Sequence, residues 1–575
     1  MIPCGRWITA GITSGVLVIT IGINYGGYHD SSACIMQDGE LLFASAEERF
    51  SRIKHDGRFP RLALNACFEF TGVNPDEVDA VCAGSVLPWR AYCADLKSYL
   101  AGKIPLAPRD ALLSLNAVLK MCWDRNGAKS YKREFGVEKT PFRVVDHHFA
   151  HAISAYACSG FDDSAVLVVD GRGSWQATSI WHGIDGRLRN VLTIPWPNSL
   201  GLFYASLTGY LGFTPNQDEW KVMGLAPYGQ PSIDLSNLIN LEQEPYRVDS
   251  QRLSDQMWTT HAPIVDLLGP GRQANEEIND RQRDIAFAVQ SACETAMLAL
   301  SRMAREKTGS PNLCLAGGVA LNSKANGKIT ASGVFDEVFV QPAPGDDGTA
   351  IGAALVPYMK RAGRLPNKRM NHTYFGRSFS NIQVESLLKG YKLRYKQIHE
   401  PAQITADLLT QSKIVGWFQS RAEFGPRALG NRSILADPRQ QSMPLRLNSA
   451  VKFRESWRPF APSILSEYAH SYFEGKSALP FMSITANVRA DQRELIPAVT
   501  HVDGSTRPQT VKEEYNPLFW SLINEFRKRT GVPVLLNTSF NLQGEPIVES
   551  PSDALRTFFS SGMDALVMGE YLLEK

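Results

Sequence analysis

The chain has 575 residues, too many for one ordinary core; about 150 residues per domain allows at most four, and two are expected. Apolar residues make up 44% and charged residues 21%, with 45 Gly and 33 Pro, proportions that exclude collagen-like, coiled-coil and wholly disordered chains. Against 60 basic side chains stand 58 acidic ones, a net charge of +2, so no general pull on nucleic acid or a membrane is expected and any anion site must be a local cluster.

At the N-terminus, Arg6 precedes the apolar stretch Ile8–Ile23, which lacks a small-residue cleavage site and runs straight into GINYGGYHD. It reads as the approach to a first strand and not as a signal peptide. No segment reaches the ~20 uninterrupted apolar residues of a spanning helix. The 9 cysteines are scattered, odd in number and free of C-x-x-C pairs. Several lie in apolar runs, which suits buried thiols in a reducing compartment. A cytoplasmic protein is expected.

Two stretches share one plan. VLVITIGIN, a polar turn at His29 and Asp30, SSACIMQ, the turn Asp38-Gly39 and ELLFASAEE form the first. SAVLVVD, GRGS, WQATSIWHG, the turn Asp185-Gly186 and RLRNVLTIPW form the second, about 145 residues later. Asp-Gly between β-rich runs is a strong hairpin signal, because both residues tolerate φ > 0. A duplicated three-strand meander predicts a domain of two similar halves with a cleft between them. Helical patterns follow at Leu200–Leu211 and Asp284–Thr308. NLCLAGGVALN and VFVQPAPGDDGTAIGAAL then repeat strand, Gly-rich loop, helix, which puts acids and glycines at a cleft beyond the strands' carboxyl ends. The basic segment 360–375 marks a boundary, giving domains 1–365 and 366–575. In the second, strands such as KIVGWF and VPVLLN alternate with helices such as Pro517–Thr530.

The sharpest chemical signal is Asp146-His147-His148-Phe149-Ala150-His151. On a helix His147 and His151 share a face about 6 Å apart, suited to one metal ion, while His148 points away. Capping or packing would explain one histidine, but hardly three in five residues. Asp170, where a strand meets Gly-Arg-Gly, and Asp346 or Asp347 are the carboxylates on offer; such a set fits Fe, Zn or Mn. The amides of Gly317 and Gly318 in the GGVALN loop could approach a nucleotide, although a tight strand–helix turn explains them equally. His29 is a candidate base for a hydroxyl. Lys54 and Lys221 are candidate phosphate or substrate contacts.

Between Arg421 and Arg458 stand seven arginines (421, 427, 432, 439, 446, 454 and 458) and Lys452, against only Glu423, Asp437 and Glu455. They are interleaved with Gly, Pro and aromatic residues, unlike a solvated helical face. Guanidinium forks held by turns suit phosphate, carboxylate or carbamate. Arg507, Gln509 and the loop from Asn537 through Asn541 to Val548 read as polar walls of the same small-molecule pocket; a nucleic-acid groove would want Lys-rich flanks.

HDSSA, HHFAHA, DEWKVMGLAPYG, GGVALN, PGDDGTAIGAAL, EFGPRALGNRSILADPR, WRPFAP and NTSFNLQGEPIV, in this order, resemble the O-carbamoyltransferases of antibiotic and nodulation-factor biosynthesis (the NodU/CmcH/TobZ family) from about residue 20 onward. The resemblance implies an α/β chain with an actin-like N-terminal domain fused to an α+β, YrdC-like C-terminal one. It implies that carbamoyl phosphate and ATP, with Mg2+, give carbamoyl adenylate and pyrophosphate in the C-terminal domain. The carbamoyl group then passes, near a divalent ion (Fe2+ ahead of Zn2+ or Mn2+), to a hydroxyl of a small-molecule natural product. By motif, His147, His151, Asp170 and Asp346 are the implied metal ligands, and His29 is the group nearest the acceptor. Arg421, Arg427, Lys452, Arg458, Arg507 and Arg529 are implied contacts of carbamoyl phosphate and ATP, with Asn537 and Asn541 beside them. Asn322 and Lys54 are implied nucleotide contacts. His29, Lys54 and Arg427 are the expected catalytic residues. No nucleic-acid or membrane partner is expected, and the sequence leaves open whether the chain forms a homodimer. The competing readings are a threonylcarbamoyl-type enzyme acting on tRNA and a non-catalytic actin-like nucleotide switch.

Overall fold

Both meanders form in the computed structural model, which describes residues 18–25, 29–86, 93, 97–98, 127–254, 262–455, 457–476 and 478–575. Most of the stretch before the first strand, with Arg6 and Cys4, lies outside the described residues, as does Cys122. Strands β1 (Ile19–Asn24), β2 (Ser32–Gln37) and β3 (Glu40–Ala46) are antiparallel neighbours. Two further strands, β4 (Ala80–Ser85) and β5 (Phe142–Asp146), extend the sheet in parallel, in the order β3-β2-β1-β4-β5. The second sheet repeats this with β6 (Asp163–Val169), β7 (Gln176–Ile184), β8 (Arg187–Pro195), β9 (Asn312–Ala316) and β10 (Glu337–Val340), ordered β8-β7-β6-β9-β10. The hairpin turns have φ of 50° and 80° at Asp38 and Gly39, and 50° and 75° at Asp185 and Gly186. That duplicated order gives the two similar halves the meanders predict, and it is the actin-like arrangement the resemblance implies.

Four helices matter for the site. They are α1 (His147–Ser159), α2 (Leu200–Tyr210), α3 (Asp280–Thr308) and α4 (Thr349–Ala362). Helix α3 starts four residues before the expected Asp284. Asn279 caps it and forms a capping box with Gln282, a polar nucleus that apolar periodicity does not register. Between the sheets, α1 and α4 pack on each other so closely that a Cβ at Gly352 would overlap the Ala150 carbonyl. Gly352→Ala is therefore expected to cost about 2–4 kcal/mol, read as a lower denaturation midpoint. An unchanged midpoint would contradict this packing.

Residues 363–380 run without helix or strand to a mixed eight-stranded sheet. Its strands are β11 (Lys396–Gln397), β12 (Val415–Phe418), β13 (Arg432–Ala436), β14 (Ala461–Leu465), β15 (Gln509–Val511), β16 (Val534–Ser539), β17 (Ala565–Met568) and β18 (Tyr571–Glu574). Helix α5 (Pro517–Thr530) lies where it was expected, and its Phe519 and Phe526 enter a core with Trp417, Phe540 and Phe558. Among the described residues every cysteine is free, and no helix is long and apolar enough to cross a membrane.

Candidate functional site

Asp146 ends β5 and caps α1 by accepting from the Phe149 N–H. That starts the helix at His147 and puts His151 one turn further on the same face, with the two Nε2 atoms 3.2 Å apart. Both rings are buried. Asp170 follows β6; its Oδ1 accepts from the Gly171 and Gly318 amides (2.8 and 3.1 Å), leaving Oδ2 2.9 Å from His147 Nε2. Asp346, in the turn before α4, places Oδ1 3.4 Å from His147 and 3.8 Å from His151. One ligand atom from each of the four lies within 4.8 Å of the others.

Burial alone would lower the His147 pKa, but the Asp346 and Asp170 carboxylates outweigh it and hold the ring up to about 10. A spot that stabilises a cation so strongly, lined by two imidazoles and two carboxylates, fits a divalent transition-metal ion. The N···N spacing also fits, since two nitrogens each about 2.0–2.1 Å from one ion sit about 3 Å apart. Asp347, the alternative ligand, takes another direction. Burial and the charges of Asp30, Glu48 and Asp346 push its carboxyl up to about 7. His148 turns away to Ser179 Oγ at 2.8 Å, and burial pushes it down to about 3.

His29 sits in the turn between β1 and β2 with Nδ1 3.0 Å from Asp30 Oδ2. Burial would lower it, yet Asp30, Asp346 and Asp170 hold it up to about 9, so it lies within electrostatic reach of the four-ligand cluster. The glycine loop does not offer the amides expected of it. Gly317 donates its N–H to the Pro344 carbonyl (2.8 Å), and a Cβ there would overlap the Val169 carbonyl at φ 90°. Gly318 spends its amide on Asp170. Asn322 caps the following helix through the Ala325 N–H and exchanges hydrogen bonds with Gln290 at 2.9 and 3.0 Å, so its amide is committed within the fold. The loop holds a candidate metal ligand in place.

A second cluster lies in the C-terminal part. Lys452, 4% exposed, ends the π-helical turn Asn448–Lys452 and donates to Asn541 Oδ1 (2.8 Å) and the Ser539 and Asn541 carbonyls. Burial and the charges of Arg454, Arg458 and Lys54 press its pKa well below the ordinary lysine value. Burial lowers Arg427 to about 10, Arg454 (with Arg458 beside it) to about 9, and Arg458 to about 10. Arg507 is pressed down by burial, Arg427 and Arg454. Among the described residues only Glu455 pairs with these charges directly, 3.3 Å from Arg458. Arg454 Nη2, Arg458 Nε and Arg507 Nε are buried with no hydrogen-bond partner. Arginine stays protonated in proteins, so this is a group of cations short of an anion. Asn537, bonded to Ser463 and Gln509, and Gln509, bonded to the Leu429 carbonyl, brace the turn that carries Arg427.

The cluster lies on the seam with the N-terminal part. Arg458 stacks 3.6 Å over Trp220, and Lys221 pairs with Asp218 and reaches Glu455 at 4.0 Å. Exposed Lys54, also from the N-terminal part, is among the charges acting on Lys452. Two expected contacts are elsewhere. Arg421 lies over Phe70 and donates to the Gly376, Phe375 and Leu42 carbonyls, tying β3 to the C-terminal part. Arg529, at the end of α5, is held by Asp407 and Glu525. Arg432 is sunk against Phe418, Arg439 pairs with Asp437, and Arg446 with Asp564. Arg454 was counted in the arginine cluster but given no role of its own, and Trp220, in DEWKVMGLAPYG, was not singled out from sequence.

Residues 20–355 match the family model described as carbamoyltransferase N-terminus, and residues 406–575 match the carbamoyltransferase C-terminus. The chain belongs to the carbamoyltransferase family. This carbamoyltransferase is 38% identical to nodulation protein NolNO of Sinorhizobium fredii, over 95% of this chain and 79% of that one. It is 41% identical to nodulation protein NolO of Bradyrhizobium diazoefficiens, over 75% and 79%. Among solved structures, component A of the Acidaminococcus fermentans (R)-2-hydroxyglutaryl-CoA dehydratase covers 60% of the carbamoyltransferase and 99% of its own chain, at 13% identity and a TM-score of 0.33.

Proposed function

We propose that the chain is an ATP-dependent O-carbamoyltransferase that activates carbamate in residues 366–575 and transfers it in residues 1–365 to a hydroxyl of a small-molecule natural product. The observation that carries this reading is the seam cluster of buried Lys452 and half-buried Arg427, Arg454, Arg458 and Arg507, cations that among the described residues have only Glu455 paired with them. Polyanionic substrates supply the missing charge. Carbamoyl phosphate loses phosphate to water, and the carbamate oxygen displaces pyrophosphate from the α-phosphorus of ATP. The guanidinium groups, already fixed in place, neutralise charge as it moves to the leaving oxygens, which is where catalysis of phosphoryl transfer mostly lies. Carbamate itself is a poor electrophile; as the adenylate it carries a good leaving group.

In the second step the acceptor oxygen attacks the carbamoyl carbon, its proton passes to His29, and AMP leaves with the bonding pair. A divalent ion held by His147, His151, Asp170 and Asp346 would supply polarisation of a carbonyl or phosphoryl oxygen there. Placing the cation pocket where the two parts of the chain meet shortens the adenylate's exposure to water. The test is to incubate the protein with carbamoyl phosphate and Mg-ATP without acceptor and follow pyrophosphate. Release is expected. Nucleotide binding without release would favour a switch, and a requirement for threonine and bicarbonate would favour a tRNA-modifying enzyme.

A further inference from the structure

Asp30 stands between two imidazoles. Its Oδ2 lies 3.0 Å from His29 Nδ1 and its Oδ1 2.7 Å from His55 Nδ1. An ionised carboxylate only accepts, so each ring makes its bond by carrying a proton on Nδ1. His55 Nε2 is buried without a partner, so the bond to Asp30 through Nδ1 is what holds this ring. A divalent ion among the four ligands would answer the Asp346 and Asp170 charges that help hold His29 protonated, and the neutral ring then keeps its lone pair on Nε2 by the same bond.

The backbone is constrained to build this trio. Asp30 and His55 have φ of 57° and 56°, left-handed conformations costing non-glycine residues about 1 kcal/mol or more each. Three hydrogen bonds hold the two loops in place: Asn24 Nδ2 donates to the Asp30 carbonyl (2.8 Å), the Ser31 N–H to the Asp56 carbonyl (2.7 Å), and the His55 N–H to the Glu48 carboxylate (2.9 Å). Although burial works against it, the bonds to His29 and His55 keep the Asp30 carboxyl ionised well below the usual range.

We propose that Asp30 and His55 are positioning residues for carbamoyl transfer: Asp30 fixes the His29 ring with Nε2 free for the acceptor hydroxyl, and His55 anchors the second oxygen of Asp30. This rests on the reading of His29 as the base. As the acceptor oxygen bonds to the carbamoyl carbon and the bond to the AMP oxygen breaks, the hydroxyl proton moves to Nε2. The Nδ1 proton stays where it is, and the imidazolium charge faces the Asp30 carboxylate, which is not itself protonated.

Asp30→Asn and His55→Asn are suitable variants, since asparagine tolerates a left-handed backbone, and thermal melts report whether each folds. In zinc-loaded protein with 15N-imidazole histidine, the His29 signals are those lost in His29→Ala. They are expected to show Nδ1–H in the wild type and a shift toward Nε2–H in Asp30→Asn. With glycerol as the surrogate hydroxyl, AMP release is expected to fall about 100-fold in Asp30→Asn and about 10-fold in His55→Asn. A double His29→Ala/Asp30→Asn variant is expected to be no slower than His29→Ala alone. An unshifted tautomer in folded Asp30→Asn, or a loss in the double variant that adds to that of His29→Ala, would overturn the proposal. A wild-type rate in His29→Ala would instead overturn the base itself, whatever the spectra show.

Discussion

Replacing Arg427 by alanine is expected to lower acceptor-independent pyrophosphate release about 1,000-fold without weakening the fold. The guanidinium makes no hydrogen bond or ion pair with any described residue, and burial alone accounts for its lowered pKa. Holding a half-buried cation without a partner beside another one is unfavourable, since Arg507 adds repulsion to the partial loss of water. Such a group is retained because a bound anion offsets that cost. Loss of one preorganised cation from a phosphoryl-transfer site is worth about 10³ in rate. The ligand-free variant should then melt at the same temperature as the parent or above it, because an uncompensated charge has been removed. Arg427→Lys, with charge but no fork, should fall between the two in rate. A lower melting temperature with normal pyrophosphate release would make Arg427 a structural residue and remove the basis for the cation pocket.

What could be read from sequence divides by the range of the contacts involved. The hairpins were legible because Asp38-Gly39 and Asp185-Gly186 settle their own conformation locally. The histidine pair was legible because four residues on a helix is one turn. The choice between Asp346 and Asp347 was not, since both open the same helix and only the phase of the 3₁₀ turn Asp346–Gly348 aims one at α1 and the other toward Asp30 and Glu48. Charge density in 421–458 located the pocket's strand and turns, but it counted every arginine alike. Arg446 is neutralised by Asp564, 118 residues away, and Arg421 spends its donors on backbone carbonyls such as that of Leu42, 379 residues away. The glycine loop failed for a related reason: an amide spent on a distant carboxylate and one open to a phosphate share the same local pattern, and Asp170 lies 148 residues from Gly318.

His147→Ala is expected to strip the protein of its divalent ion and to stop transfer to a hydroxyl, while acceptor-independent pyrophosphate release continues. His147 Nε2 is the hub of the cluster, within 3.4 Å of His151, Asp170 and Asp346 alike, so its loss removes a ligand and separates the other three. Three remaining donors, two of them mutually repelling carboxylates, hold a first-row ion far more weakly; loss of even outer-sphere support costs 10- to 100-fold in affinity, and loss of a direct ligand costs more. Elemental analysis after dialysis should show the ion falling to background. His148→Ala is the control. That side chain bonds Ser179 and faces away from the cluster, so its removal should leave metal content intact and cost about 1–3 kcal/mol through the cavity and the unpaired hydroxyl. If His147→Ala kept its metal, or His148→Ala alone lost it, the four-residue ligand set would be wrong. If metal and pyrophosphate release vanished together, the ion would belong to activation, and the division of labour between the two parts of the chain would have to be redrawn.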